Sequence, residues 1–214
     1  MRETSLELLM SRPVQERADA ARNREKVLAA AARLFAEKGV DAVSMDAVAA
    51  EAGVGKGTLF RRFGDKSGLA VALLDSRERD LQQRILSGPP PLGPGAPARE
   101  RLAAFVAAYL DYLFAHLDLV RMSETASPGA RYRIGAYWFW HRHAAMLLAE
   151  ARPAAGSATG PATGPAAGPG SDADLLSHVL LAAMGAEVAA MLKDDYGPDR
   201  AIRAVLTVAT ALTS

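Results

Sequence analysis

The chain contains no cysteine, which excludes disulfides, thiol nucleophiles and cysteine-ligated zinc. It has no apolar run long enough to cross a bilayer. Its first residues, MRETSLELLMSRP, place acidic side chains early and hold only a short apolar stretch, which is not the pattern of a secretory signal. A cytoplasmic protein without membrane contact is expected. Charge of one sign is not in excess either: 25 Lys and Arg stand against 24 Asp and Glu, so net charge alone does not point to nucleic acid. Alternating β-branched runs are missing, which argues against a sheet. No Ser-His-Asp arrangement or carboxylate pair stands out, and no enzyme is expected. Histidines 141 and 143 sit two residues apart, and on a helix such positions point to nearly opposite sides. Zinc needs three or four converging ligands, so no metal and no cofactor are expected.

What is present is helix. Half the residues are hydrophobic, and they recur at helical spacing almost everywhere, so the fold class is all-α. Val27, Ala30, Ala31, Leu34 and Phe35 form one stripe, and Gly39 stops that helix after Lys38. Ser44 is placed to cap a helix over Met45 to Ala52, which Gly53 ends. A short helix follows over Lys56 to Phe63, then a long one over Lys66 to Leu86. Two segments, SGPPPLGPGAPA (Ser87 to Ala98) and PAAGSATGPATGPAAGPG (Pro153 to Gly170), cannot hold regular structure, and the second reads as a flexible linker. Further helices are expected over Pro97 to His116, Pro128 to Ala151, Ala173 to Lys193 and Pro198 to Thr213. A short one over Leu117 to Glu124 would make about nine. The domain plan is a flexible arm (1–18), a small helical domain (19–65) and a larger helical domain (66–214) interrupted by the linker at 153–170.

The stretch from Gly39 to Lys66 reads as two short helices joined by a tight turn, with a basic second helix. This is the arrangement of a DNA-reading helix-turn-helix. Val48, Val54, Leu59 and Phe63 would lock the unit onto the first helix. Gly53 supplies the left-handed backbone of the turn. The second helix then exposes Lys56, Thr58, Phe60, Arg61 and Arg62. Arginine and lysine neutralise phosphates or bond guanine edges, and threonine contacts phosphate or a thymine methyl. Helix N-termini at Ser44, Gly55 and Lys66 would offer amide donors to phosphates. From Arg12 to Lys66 there are 11 basic and 8 acidic side chains, a mild asymmetry that an ordinary solvated face explains equally well. The segment GVGKGT suggests a phosphate-binding loop, but Ala50 stands where the first glycine of that motif belongs, Gly57 follows Lys56 where Ser or Thr should, and no strand precedes it.

The stretch from Ala21 to Leu74 resembles the DNA-binding domain of TetR-family transcriptional regulators. The resemblance is strongest over AGVGKGTLFRRFGDKSGL (Ala52 to Leu69), which is similar to the family pattern AGVSxGTLYxYFxxKxxL. It implies a three-helix DNA-binding domain followed by a variable all-α domain for ligand binding and dimerisation. It also implies DNA contacts at Ser44, Lys56, Thr58, Phe60 and Lys66; those of Arg61 and Arg62 rest on the reading of the residues alone. Positions 55, 60 and 62 depart from the pattern. Gly55 stands where the family often has Ser, and Phe60 replaces the usual Tyr, removing a hydroxyl.

Most aromatics of the chain fall in two helices, among them Phe105, Tyr109 and Tyr112, then Tyr132, Tyr137, Trp138, Phe139 and Trp140. Ordinary core packing accounts for any one of them. Together with the resemblance they suggest an effector pocket between helices, with Tyr109, Tyr112, His116, Trp138 and His141 as its candidates and a small apolar or aromatic molecule as its ligand. The last two helices are rich in small and apolar residues, and the resemblance implies that they pair two subunits. A homodimer would place two reading helices one DNA turn apart on a palindromic operator. The function expected is a repressor that a ligand releases from double-stranded DNA, with the helix from Lys66 to Leu86 pivoting between two states. The alternative is a DNA-binding activator or architectural protein without a small-molecule effector.

Overall fold

The computed structural model describes the backbone of residues 4–152 and 171–213, and side chains from residue 19 onward. The expected linker at 153–170 lies outside the described residues. Eleven helices are found among them, and no strand. In order they are α1 (Thr4–Lys38), α2 (Met45–Ala52), α3 (Lys56–Phe63), α4 (Lys66–Ser87), α5 (Ala98–Ala115), α6 (Leu117–Thr125), α7 (Ala130–Arg133), α8 (Gly135–Ala151), α9 (Asp172–Ala183), α10 (Ala186–Tyr196) and α11 (Pro198–Ala211). The chain divides into two units between Leu73 and Leu74. The expected boundary before Lys66 thus moves into α4, whose first turns belong to the N-terminal unit. Residues 4–18, expected as an arm, continue α1. No single helix among the described residues is long and apolar enough to cross a membrane.

The N-terminal unit is built on the stripe visible in the sequence. Val27, Ala30, Ala31, Leu34 and Phe35 of α1 are buried with Met45, Val48 and Ala49 of α2, Leu59 of α3, and Leu69 and Ala70 of α4. The spacing of the α1 residues keeps them on one face, so a single side of the helix carries the unit's core.

In the C-terminal unit α5 is the central helix. Leu102, Phe105, Val106, Tyr109, Leu110 and Leu113 are all buried. They share one hydrophobic cluster with Trp140, Ala144, Leu147 and Leu148 of α8, Leu180 and Leu181 of α9, and Met184 just after it. Phe105 stacks on Trp140 with ring centroids 6.1 Å apart.

Two helices read as continuous are each broken. The first divides at Ile134, whose backbone is extended, giving α7 and α8. The second divides at Gly185, giving α9 and α10, bent by 49°. The cause of the second break is a buried ion pair. Arg131 and Glu124 meet at 2.9 Å with side chains only 13% and 11% exposed. Arg131 Nη2 donates to the Leu181 carbonyl at 2.6 Å, and Glu124 Oε2 accepts the Ala186 N–H at 2.9 Å. The pair therefore satisfies one end of each half-helix. A Cβ at position 185 would lie 2.6 Å from the Arg131 guanidinium, so glycine keeps the space the arginine occupies.

Candidate nucleic-acid interface and effector chamber

The helix-turn-helix is set by local backbone chemistry. Ser44 sits in extended conformation before α2, and its hydroxyl accepts the Ala47 N–H at 3.1 Å. Gly53 adopts φ +64°, where a side chain would be strained, and turns the chain between α2 and α3. Gly55 precedes α3 without a side-chain cap. Asp65 then caps α4: its carboxylate accepts the Gly68 N–H at 2.9 Å and the Ser67 hydroxyl at 2.6 Å. These bonds, that of Ser67 foremost, hold the Asp65 carboxyl below its usual range. An Asp three residues before the third helical position is the capping signal that identifies Asp65 in the sequence.

The seven expected DNA-contact residues divide by what they touch. Lys56, Thr58, Phe60 and Arg61 are exposed on α3, with Phe60 45% accessible. Lys56 pairs with Asp46 of α2. Ser44 caps α2, as expected. Arg62 is exposed, but its Nη1 donates to the Ala20 carbonyl of α1 at 2.8 Å. Lys66 turns inward. Its Nζ donates to the carbonyls of Val40 at 2.8 Å, Asp41 at 3.1 Å and Val43 at 3.1 Å. An ammonium has three protons, and all three are used. Lys66 thus braces the loop between α1 and α2. Beside the α3 face lies a recess of about 270 Å³, lined by Asp19, Asn23, Val27, Thr58, Arg61 and Arg62 among others.

The aromatic helices of the C-terminal unit form a different kind of site. Tyr109, Tyr112, Tyr137 and Trp140 surround a chamber of about 20 Å³ with Glu78, Glu124 and Arg131. Tyr109 lies 5.6 Å from Trp140 and 6.1 Å from Tyr112 between ring centroids. The Tyr112 hydroxyl donates to Glu78 Oε1 at 3.1 Å. Burial pushes the Glu78 carboxyl up, against the lowering effect of that bond. Burial also raises Glu124, though Arg131 pulls the other way, and raises the phenols of Tyr109 and Tyr112. The Arg131 guanidinium lies 5.5 Å from the Tyr137 ring centroid. Tyr112 also lines an open groove of about 510 Å³ with Arg77, Asp80, Arg84, Asp111 and His116. Burial holds His116 below its usual range, and Arg77 adds to the effect.

Of the five expected effector residues, Tyr109 and Tyr112 meet in the chamber and His116 lines the groove. Trp138 does not join them: it is 48% exposed, and its indole N–H donates to the Tyr132 carbonyl at 3.0 Å. Trp140, two residues on, faces inward instead. Positions i and i+2 of a helix point to nearly opposite sides, so one of the two tryptophans had to face away. His141 is buried against α9, beside His178. The charged residues of the chamber, Glu78, Glu124 and Arg131, carried no signal in the sequence. Glu78 sits in the run DSRERD, which has the look of a solvated face.

Comparison with known proteins bears on both units. The family described as bacterial regulatory proteins, tetR family, matches residues 27–73. An HTH-type transcriptional regulator of Staphylococcus aureus (strain bovine RF122 / ET3-1) is 45% identical over 69 residues, covering 32% of this chain and 36% of that protein. The chain therefore spans about a third of the length of the curated relatives it matches. A TetR-family transcriptional regulator of Pectobacterium atrosepticum superposes with a TM-score of 0.60 at 19% identity, covering 92% of this chain and 94% of that one. A transcriptional regulator of Saccharomonospora viridis, solved in complex with choline, gives 0.54 at 24% identity, covering 85% and 92%. At such identities the structures speak for the fold, an N-terminal helix-turn-helix domain followed by a larger helical one. Residues 27–73, within the N-terminal unit, thus form a domain of the tetR family of bacterial regulatory proteins.

Proposed function

We propose that the protein is a homodimeric, sequence-specific repressor that leaves its operator when a small organic cation enters the C-terminal unit. The observation that carries the DNA-reading part is the face of α3. Lys56, Thr58, Phe60 and Arg61 are exposed together, while Leu59 on the opposite side is buried. A helix held from behind with cationic and hydroxyl groups in front suits the major groove. Arg61 is the foremost candidate for a base or phosphate contact. Phe60 would pack on sugar or a thymine methyl. Lys66 and Arg62 would act through the backbone they hold, with Lys66 keeping the α1–α2 loop, and hence Ser44 and the N-terminus of α2, in position for phosphate.

Pairing of two chains would bring two α3 helices to the half-sites of a palindrome. Exposed apolar residues on the last three helices support it: Leu175 and Val179 one turn apart on α9, Val188 and Met191 on α10, and Val208 on α11. Leu180 and Met184, on the same stretch of sequence, are intrachain core.

The effector class follows from the chamber. An apolar or aromatic ligand was expected. Four aromatic rings lining a chamber with the half-buried carboxylate of Glu78 instead favour a cation with apolar substituents. Aromatic faces attract such ions, and among the described residues Glu78 has no cationic partner comparable to Arg131 for Glu124. The choline complex of the Saccharomonospora viridis regulator makes choline a sensible first probe. The closed chamber holds little more than a water, so entry would require Tyr112 to swing toward the groove it also lines. Fluorescence anisotropy on the DNA upstream of the coding region tests the reading. Specific DNA should bind at least 1,000-fold more tightly than random DNA, and quaternary ammonium ions should weaken only the specific complex. Equal affinity for both DNAs would overturn it.

A further inference from the structure

The spacing of His141 and His143 gave no reason to expect a metal, and the two do face apart. α9 supplies what α8 lacks. Asp174 and His178 stand one turn apart on α9, where i and i+4 share a face. They meet His141 so that one ligand atom from each of the three lies within 4.8 Å of the others. His141 is buried, and neither of its ring nitrogens makes a well-formed hydrogen bond, although the backbone and carboxylate of Asp174 lie beside it. Its Nε2 stands 3.4 Å from Asp174 Oδ1 without hydrogen-bond geometry. The rings of His141 and His178 lie 3.9 Å apart between centroids. A buried imidazole with both nitrogens unmatched is costly in a finished core and ordinary in a ligand site.

We infer that His141, Asp174 and His178 bind a divalent transition-metal ion of the zinc class, joining α8 to α9. The donor set argues for the ion. Two imidazoles and one carboxylate suit zinc, cobalt, nickel or copper, and disfavour magnesium and calcium, which take oxygen. Metal–nitrogen bonds of about 2.0–2.1 Å in a tetrahedron place ligand atoms about 3.4 Å apart. The three atoms need to close by about an ångström, within reach of small side-chain rotations. The outer contacts fit as well. The Tyr137 hydroxyl lies 2.6 Å from His178 Nδ1. Accepting the hydrogen bond of a protonated Nδ1, the hydroxyl oxygen fixes the tautomer that leaves Nε2 for the ion. Tyr137 stacks on His178, and the Trp138 ring stands edge-on to both histidines, 5.5 Å from His141 and 6.1 Å from His178. Asp174 and His178 remain partly open to solvent, which provides an entry path and room for a water as fourth ligand.

The test uses the full chain without an affinity tag, stripped by chelator and titrated with Zn²⁺ by calorimetry and with Co²⁺ by visible absorption. One ion per chain is expected, with a tetrahedral Co²⁺ spectrum, a higher Tm in Zn²⁺ and no response to Mg²⁺. His178→Gln and Asp174→Asn should each weaken Zn²⁺ binding at least about 100-fold. Tyr137→Phe should weaken it about 10-fold, as loss of an outer-shell partner does. His143→Gln should keep wild-type binding. Far-UV circular dichroism of each metal-free variant reports its fold, and the wild-type stoichiometry and spectrum need no variant at all. Absence of Zn²⁺ and Co²⁺ binding by the wild type, or wild-type affinity in both folded His178→Gln and Asp174→Asn, would overturn the site.

Discussion

The two units handle polar chemistry in opposite ways. In the N-terminal unit the core is wholly apolar, and the groups that could do work lie on the surface of α3 or on backbone carbonyls at the unit's edge. In the C-terminal unit a carboxylate hydrogen-bonded to a phenol, a buried ion pair and unmatched imidazoles lie among aromatic rings. The first unit presents a fixed face that would suit a partner that is large, charged and wet. The second keeps charges where water is scarce, so that each interaction is strong and each missing partner is felt. Under the proposed function, reading DNA calls for the former and sensing a small ion or molecule for the latter.

The sharpest way to break this contrast is to unpair the buried charges. Glu124→Ala leaves Arg131 buried without its carboxylate and frees the Ala186 N–H, and should cost about 3–5 kcal/mol of stability in the C-terminal unit. Replacing both partners by Met should cost much less, because no charge is then stranded. Urea unfolding of the two variants checks it, and equal losses would mean that the pair merely packs. On the other side of the comparison, Arg61→Ala should leave stability within about 0.5 kcal/mol of wild type. It should cost about 1–3 kcal/mol of specific DNA affinity. Paired melting and anisotropy measurements separate the two effects.

The same contrast explains what could be read from residues alone. The stripe from Val27 to Phe35, the Ser44 cap and the Gly53 turn are each local rules, obeyed within a few positions of the chain, and each appears where its rule puts it. The breaks at Ile134 and Gly185 are not local. α9 and α10 are one helix by periodicity, and only an arginine some fifty residues earlier, seated at the break with its glutamate, divides them. Glu78 likewise sits in a charged run that any pattern assigns to solvent, and its burial depends on α5 bringing Tyr112 over it. Trp138 and Trp140 show the limit of composition. An aromatic cluster marks a helix as important without saying which of its faces is turned inward. His141 gains its neighbours only when α9 returns across a long stretch of chain.

Lys66 tests the boundary between surface and support. If it braces the α1–α2 loop, Lys66→Met should lower the stability of the N-terminal unit by about 1–3 kcal/mol, the worth of hydrogen bonds to a charged group. DNA affinity should then fall with the salt slope unchanged. If instead it grips phosphate in the complex, the slope of log K against log salt should shrink by about one unit. Salt titrations of wild type and variant decide between the two.

The smallest effect concerns Glu78, and its sign distinguishes a sensor from a filled core. Burial raises the Glu78 carboxyl above its usual 4.5 in the folded state. A raised folded-state value means that the group favours folding most when protonated, and that this contribution is lost as pH rises through the folded value. Where it is ionised, the Glu78 carboxylate is therefore a burden on the fold. Glu78→Gln keeps an acceptor for the Tyr112 hydroxyl but cannot ionise, so the variant should melt higher than wild type at pH 7–8, with the gain vanishing as pH falls toward 4. A bound cation would remove the same burden in wild type, so quaternary ammonium probes should raise the wild-type Tm and leave that of Glu78→Gln unmoved. Equal stabilisation of both by the probe would place the ligand away from Glu78. A variant that melts lower than wild type at every pH would show that the carboxylate supports the fold in its own right.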